Sequence, residues 1–183
     1  TPEDARLLGA SNTAAVLHSR AGLLQRDGDV VDVDGLSALR FVGVAPGSYR
    51  VAVRHRNHLG VMTATDIVLG AVTAIVDLTL TGTAVEGGAA RKSLGGSFPV
   101  EALWAGDANA DGQVVYTNMD NDRDVILQRI GGTIPTNTVE DYLQEDLNLD
   151  GEVKYTGGGN DRDLMLQIIG GVVPTAVKQG SLP

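Results

Sequence analysis

The sequence contains no cysteine. Disulfides, thiolate zinc sites and cysteine nucleophiles are thereby excluded. Aromatic side chains are scarce too, with one Trp, four Tyr and two Phe in 183 residues. That leaves little material for the stacked platform on which a sugar-binding face relies. No apolar run is long enough to span a membrane, and no signal-peptide pattern opens the chain. The chain starts at Thr1-Pro-Glu and not at Met, so it reads as a piece of a longer protein whose targeting signals are expected elsewhere. G-x-S-x-G, H-E-x-x-H and P-loop patterns are all missing, so catalysis is not expected.

Net charge is missing from one half only. Residues 1–100 hold nine acids and nine bases, whereas residues 101–183 hold fourteen acids and five bases. The whole net charge of −9 therefore lies in the C-terminal half. An acidic chain of this kind repels phosphate backbones, so no nucleic-acid partner is expected.

The C-terminal half is an internal repeat. Asp107–Thr136 superimposes on Asp146–Thr175 with a shift of 39 positions, no gap and 18 identities in 30 positions. Each copy opens on D-x-N-x-D-G: Asp107-Ala-Asn-Ala-Asp-Gly112 and Asp146-Leu-Asn-Leu-Asp-Gly151. Oxygen-bearing side chains at positions 1, 3 and 5, with a turn-permitting glycine at 6, suit a calcium ion, which takes six to eight oxygens at about 2.3–2.6 Å. Each loop leads to Asn-Asp-Arg-Asp. Asn121 and Asn160 are N-cap candidates, with Asp124 and Asp163 three residues on. Short amphipathic helices are expected over Val125–Ile130 and Leu164–Ile169, ended by Gly131-Gly132 and Gly170-Gly171.

Two loop-plus-helix units in about 70 residues resemble a type I dockerin, a module of two half EF-hands that each lack the incoming helix. The resemblance implies two structural calcium ions and a closing carboxylate at position 12 of each loop. Counted directly, position 12 is Asn118 in the first loop and Gly157 in the second, so the loops are stretched by six residues if the Asn-Asp-Arg-Asp cap closes them. The first site is assigned to Asp107, Asn109, Asp111, the Gln113 carbonyl, Asn121 and Asp124. The second takes Asp146, Asn148, Asp150, the Glu152 carbonyl, Asn160 and Asp163. Asp122 and Asp161 are the rival closing carboxylates. The inserted Tyr116-Thr117 and Tyr155-Thr156 are expected to form flaps beside the metal. Dockerins bind cohesins through the residues that here are Asp122-Arg123 and Asp161-Arg162, in place of the usual small hydroxyl or aliphatic pairs. The repeat implies two equivalent faces, on the Arg123 and Arg162 sides.

The N-terminal half reads as β structure. Short apolar runs lie at Ala5–Leu8, Ala14–His18, Val30–Val33, Leu39–Val44, Tyr49–Arg54, Gly60–Thr63, Ile67–Leu69 and Val72–Leu80, separated by turn signals such as Asp27-Gly28, Asp34-Gly35 and Pro46-Gly47. Seven or eight short strands suggest a β-sandwich. The segment Phe41-Val-Gly-Val-Ala-Pro-Gly-Ser-Tyr-Arg-Val-Ala-Val53 resembles a signature of Cna-B-type, transthyretin-like (prealbumin-like) sandwiches of bacterial surface proteins. Some of these carry a Lys–Asn crosslink. No Lys precedes Lys92, so none is expected inside the sandwich.

The expected organisation is a β-sandwich over 1–84, a semi-rigid linker over 85–105, and a dockerin-like double calcium domain over 106–176. Gly82, Gly87, Gly88, Gly95 and Gly96 break the linker, while Phe98, Val100, Leu103 and Trp104 dock it. The run Arg54-His-Arg-Asn-His-Leu-Gly60 is a solvated turn, a basic patch for the acidic half or an anionic sugar, or a metal site through His55 and His58. Asp29, Asp32 and Asp34 form a polar strand face with a turn, or a third calcium site. The function expected is that of a non-catalytic spacer or docking module of a large secreted or cell-surface bacterial protein. Its partner is another protein or an adjacent domain of the parent. The alternatives are a carbohydrate-binding module taking polysaccharide on the sandwich, and a cohesin-type assembly partner.

Overall fold

The structure, a computed structural model, describes residues 2–9, 12–87 and 89–182, with the backbone alone for 2–4 and 12–14. Gly88, one of the expected chain breakers, lies outside the described residues. Among the described residues the regular structure is mostly strand, in antiparallel sheets, with two short helices. It divides into two compact units. One comprises Thr1–His55, Gly60–Leu103 and Ser181–Pro183; the other comprises Arg56–Leu59 and Trp104–Gly180.

The first unit carries β1 (Pro2–Gly9), β2 (Asn12–Leu24), β3 (Val30–Val31), β4 (Gly47–Arg54), β5 (Val61–Met62), β6 (Ile67–Leu69), β7 (Arg91–Leu94) and β8 (Val100–Leu103). Six of them form one sheet in the order β3-β2-β1-β4-β5, with β6 also on β4. The strand β1 lies between β2 and β4, and its Leu7 and Leu8 are fully buried. Leu8 packs with Ala52, Met62 and Leu182. Gly60 precedes β5 because nothing larger fits: a Cβ there would stand 2.0 Å from Leu182 Cδ1.

Three expectations for this unit change. Leu39–Val44 forms no strand; Gly43 takes a φ of +80° inside it, and Val42 is exposed. The Pro46-Gly47 turn still leads into β4, where the Tyr49 hydroxyl donates to the Ala45 carbonyl at 2.7 Å. Val72–Leu80 also stays out of any sheet. Its last carbonyls are met singly and not by a ladder: the Arg91 guanidinium donates to Leu78 and Leu80, the Thr83 hydroxyl to Asp77, and the Glu101 N–H of β8 to Thr79. Finally, residues 85–105 are not a separate linker. Arg91–Leu94 and Val100–Leu103 pair as a two-stranded ladder of the first unit, and Trp104 begins the second.

The second unit carries β9 (Gln113–Val115), α1 (Asp122–Arg129), β10 (Thr138–Glu140), β11 (Glu152–Lys154), α2 (Asp161–Ile168) and β12 (Val177–Gln179). Every element has a partner 39 residues away, so the repeat runs past 176 to β12. Pairing is reciprocal: β9 pairs with β12 and β11 with β10, so each loop strand joins the strand that follows the other helix. The Thr117 hydroxyl donates to the Pro174 carbonyl at 3.0 Å, and Thr156 to Pro135 at 2.8 Å. The inserted Tyr-Thr pairs thus latch each copy onto the exit of the other.

Its core is built from equivalent pairs: Ala108 with Leu147, Val114 with Val153, Ile126 with Met165, and Ile130 with Ile169. The ninth buried member is Leu59, from outside the repeat. Each helix ends on a double-glycine closure. Gly132 N–H reaches the Leu127 carbonyl and Gly171 N–H the Leu166 carbonyl, both at 2.8 Å, as a Schellman turn requires.

Candidate metal centre

Both D-x-N-x-D-G segments fold alike. Ala110 and Leu149 at position 4 have φ of 59° and 61°, and Gly112 and Gly151 at position 6 have φ of 83° and 88°. These left-handed residues curl the backbone so that its N–H groups meet the side chains inside the loop. Asp107 Oδ2 accepts from Gly112 N–H at 3.2 Å, Asn109 Oδ1 from Asp111 N–H at 3.0 Å, and Asp111 Oδ1 from Gln113 N–H at 2.8 Å. The second copy repeats them: Asp146 Oδ2 with Gly151 at 3.2 Å, Asn148 Oδ1 with Asp150 at 2.9 Å, and Asp150 Oδ1 with Glu152 at 2.9 Å. Gln113 and Glu152 open the strands β9 and β11, and the Glu152 carboxylate pairs with Lys154.

The two candidate closing carboxylates part company at the helix start. Asn121 Oδ1 accepts from Asp124 N–H at 2.9 Å, capping α1, and Asn160 does the same for Asp163 at 2.8 Å. Asp124 and Asp163 are then held outside the loop. Their side chains are 52% and 51% exposed, engaged by Arg123 and Arg162 and by the capping Asn amides. Asp122 and Asp161 instead turn into the loops and are 0% exposed. Asp122 Oδ1 accepts from the N–H groups of Ala108 and Asn109 at 2.7 and 3.2 Å, and its Oδ2 from Val115 at 2.8 Å. Asp161 binds Leu147, Asn148 and Lys154 at 2.7, 3.2 and 2.8 Å. The structure therefore brings Asp107, Asn109 and Asp122 together, and likewise Asp146, Asn148 and Asp161; Asp124 and Asp163 stay at the rim.

The electrostatics of the two carboxylates follow from burial. Desolvation pushes Asp122 up to about 7, with the charge of Asp107 adding to it against the three backbone donors. Asp161 is pushed up to about 6 for the same first reason, with Asp146 adding. Each loop thus places two buried, like-charged carboxyls side by side, an arrangement a cation relieves. The donors are all hard oxygens, of the kind calcium takes. Among the described residues, no group of three or more His, Cys, Asp or Glu is arranged to hold a metal ion.

Arg123 and Arg162, assigned to two outward faces, stack on Tyr116 and Tyr155 at 5.3 and 5.0 Å from the ring centroids. The flap tyrosines are thereby tied to the helix start.

Arg56–Leu59 contributes more than its sequence announced. Asn57 is fully buried; its amide donates to the Asp146 carbonyl at 2.6 Å, and its own carbonyl accepts from Gly106 and Asp107 N–H at 2.9 and 3.2 Å. It thus touches the first residue of both loops. Arg56 pairs with Asp146. Of the earlier options for this run, the basic patch for the acidic half describes Arg56. His55 falls in the first unit and His58 in the second. Signals for the remainder were a Leu-Gly end to a polar run and nothing more.

Asp29, Asp32 and Asp34 do not converge. Asp32 takes a two-point contact from Arg20 at 2.6 and 2.7 Å. Asp34 caps a turn through Leu36 and Ser37; the Ser37 hydroxyl and the backbone donors draw it down to about 2.

In comparisons with known proteins, no family model, no curated protein and no solved structure matches the chain.

Proposed function

We propose that the second unit is a double calcium-binding module of dockerin type in which calcium is structural. The unit serves a non-catalytic spacer or docking role in a larger extracellular or cell-surface protein, beside a transthyretin-like β domain. The observation that carries the reading is the pairing of Asp122 with Asp107, and of Asp161 with Asp146, inside loops of matching conformation. In both copies of the repeat, 39 residues apart, three equivalent N–H groups hold the inward carboxyl, Asp122 or Asp161, while the glycine N–H holds the first carboxyl of the loop, Asp107 or Asp146.

On this reading the first ion is held by Asp107, Asn109, Asp111, the Gln113 carbonyl and Asp122. The second is held by Asp146, Asn148, Asp150, the Glu152 carbonyl and Asp161. Asn121, Asp124, Asn160 and Asp163 cap the helices and orient the closing carboxylates. The ion supplies positive charge that offsets carboxylate repulsion and fixes the loop against the helix start. Calcium outside cells is abundant enough to keep such sites filled, which supports the extracellular placement. Other proteins or adjacent domains are the partners proposed for the module's outer surface.

The test follows the melting of the second unit by fluorescence of Trp104, the single Trp, which packs on its core. Chelator should lower the transition and added calcium restore it. A transition indifferent to both would end the reading. Asp111→Ala and Asp150→Ala should each remove one site.

A further inference from the structure

We propose that Arg56 is a resident cation on the second loop: it holds the Asp146 carboxylate in the metal-free chain and weakens calcium binding there by competing for that carboxylate. This inference rests on the calcium reading above and concerns how one of its sites is tuned.

The residue comes from outside the repeat. Its Nη2 lies 3.4 Å from Asp146 Oδ2, its Nη1 donates to the Tyr142 carbonyl at 3.2 Å, and its guanidinium carbon stands 5.9 Å from the Tyr142 ring centroid. Asp146 is fully buried and Arg56 mostly so. A pair so placed is poorly screened by salt and strongly coupled. Without metal, the guanidinium offsets repulsion among Asp146, Asp150 and Asp161. With metal, two cations share one carboxylate and repel each other.

The sign of the effect depends on whether Arg56 also shapes the loop. The geometry says that it is not needed for that. Asp146 Oδ2 is already fixed by Gly151 N–H at 3.2 Å and Oδ1 by Asp150 N–H at 3.1 Å. Its main chain is fixed by the Asn57 amide at 2.6 Å. Removing the guanidinium takes away charge and leaves the oxygens where they are. Calcium affinity at the second loop therefore rises.

The experiment is calcium titration of the full chain by calorimetry in an Asp111→Ala background, where the second loop alone titrates. Arg56→Gln should lower the dissociation constant by at least about tenfold. Arg56→Lys, which keeps the charge, should stay within about threefold of arginine. In an Asp150→Ala background, where the first loop alone titrates, Arg56→Gln should change little. Unchanged or weaker binding at the second loop in Arg56→Gln overturns the inference, as does equal tightening in Arg56→Lys. Melting guards against a variant that folds poorly without metal. In saturating calcium Arg56→Gln should melt no lower than the unsubstituted chain, and a lower transition counts against the proposal. If the unsubstituted chain binds no calcium, the calcium reading fails and this inference falls with it. If it binds calcium and Arg56→Gln does not tighten the second loop, this inference alone fails.

Discussion

Leu59→Ala is the sharpest probe of how the second unit is assembled. Leu59 is fully buried in a cluster whose other buried members are all drawn from the repeat. Its N–H donates to the Trp104 carbonyl at 2.8 Å, so its backbone is fixed as the side chain is cut back. The neighbours Val114, Val153, Ile126 and Met165 sit on crossed loop strands and short helices, which have little freedom to close a void. Truncating a buried Leu to Ala typically costs about 2–5 kcal/mol, and the absence of slack places this site in the upper part of that range. For a unit of roughly 80 residues, each kcal/mol moves the midpoint by about 4–8 °C, so the transition should fall by at least about 10 °C. The assay is Trp104 fluorescence during heating in saturating calcium. Leu36→Ala, at an exposed position, serves as the control and should leave the transition alone. A Leu59→Ala midpoint within about 2 °C of the parent would refute membership of that core.

Three further outcomes are expected. Asp122→Asn and Asp161→Asn put an amide NH2 against a backbone N–H, so each should lose its loop's calcium and cost about 1–3 kcal/mol, read by calorimetry and melting. In chelator, the second unit should lose stability as pH rises from about 4 to 8. Asp122 and Asp161 hold protons to about 7 and about 6 when folded, against 3.8 ordinarily, so the folded state binds more protons in that window and ionisation works against it. Saturating calcium should flatten this dependence, and a rise in metal-free stability with pH would contradict the buried-carboxyl account. Gly106→Ala should destabilise the second unit, because Gly106 has φ of +121° and a Cβ would stand 2.7 Å from Val114 Cγ1; its melting midpoint checks this.

Much of the second unit was legible because duplication removes ambiguity. The loop glycines, the Asn caps and the Gly-Gly stops all appear in both copies, and each does the same physical job in each. Which carboxylate turns into the loop was not legible. Asp122 and Asp124 both precede the helix, and spacing alone cannot say which turns inward. The cap decides it: Asn121 engages Asp124 N–H, and Asp122, the first helical residue after the cap, turns under the loop. The reciprocal strand pairing was equally hidden, since β10 and β12 are three-residue segments without strong alternation. Arg56–Leu59 was unreadable for a different reason. Its partners are distant in sequence, from Trp104 to Asp146, and a single copy offers no internal comparison. In the first unit, alternation marked Tyr49–Arg54 correctly. It misled at Val72–Leu80, where Val76 and Leu78 are half-buried but the carbonyls are met singly, by the Arg91 side chain, the Thr83 hydroxyl and the Glu101 N–H, and not by a strand ladder.

The central claim is that two loops each hold one calcium ion. Calorimetric titration of the full chain with calcium tests it most directly. The account predicts two ions bound per chain, falling to one in Asp111→Ala and to one in Asp150→Ala. No heat of binding, or a stoichiometry untouched by either substitution, would contradict it.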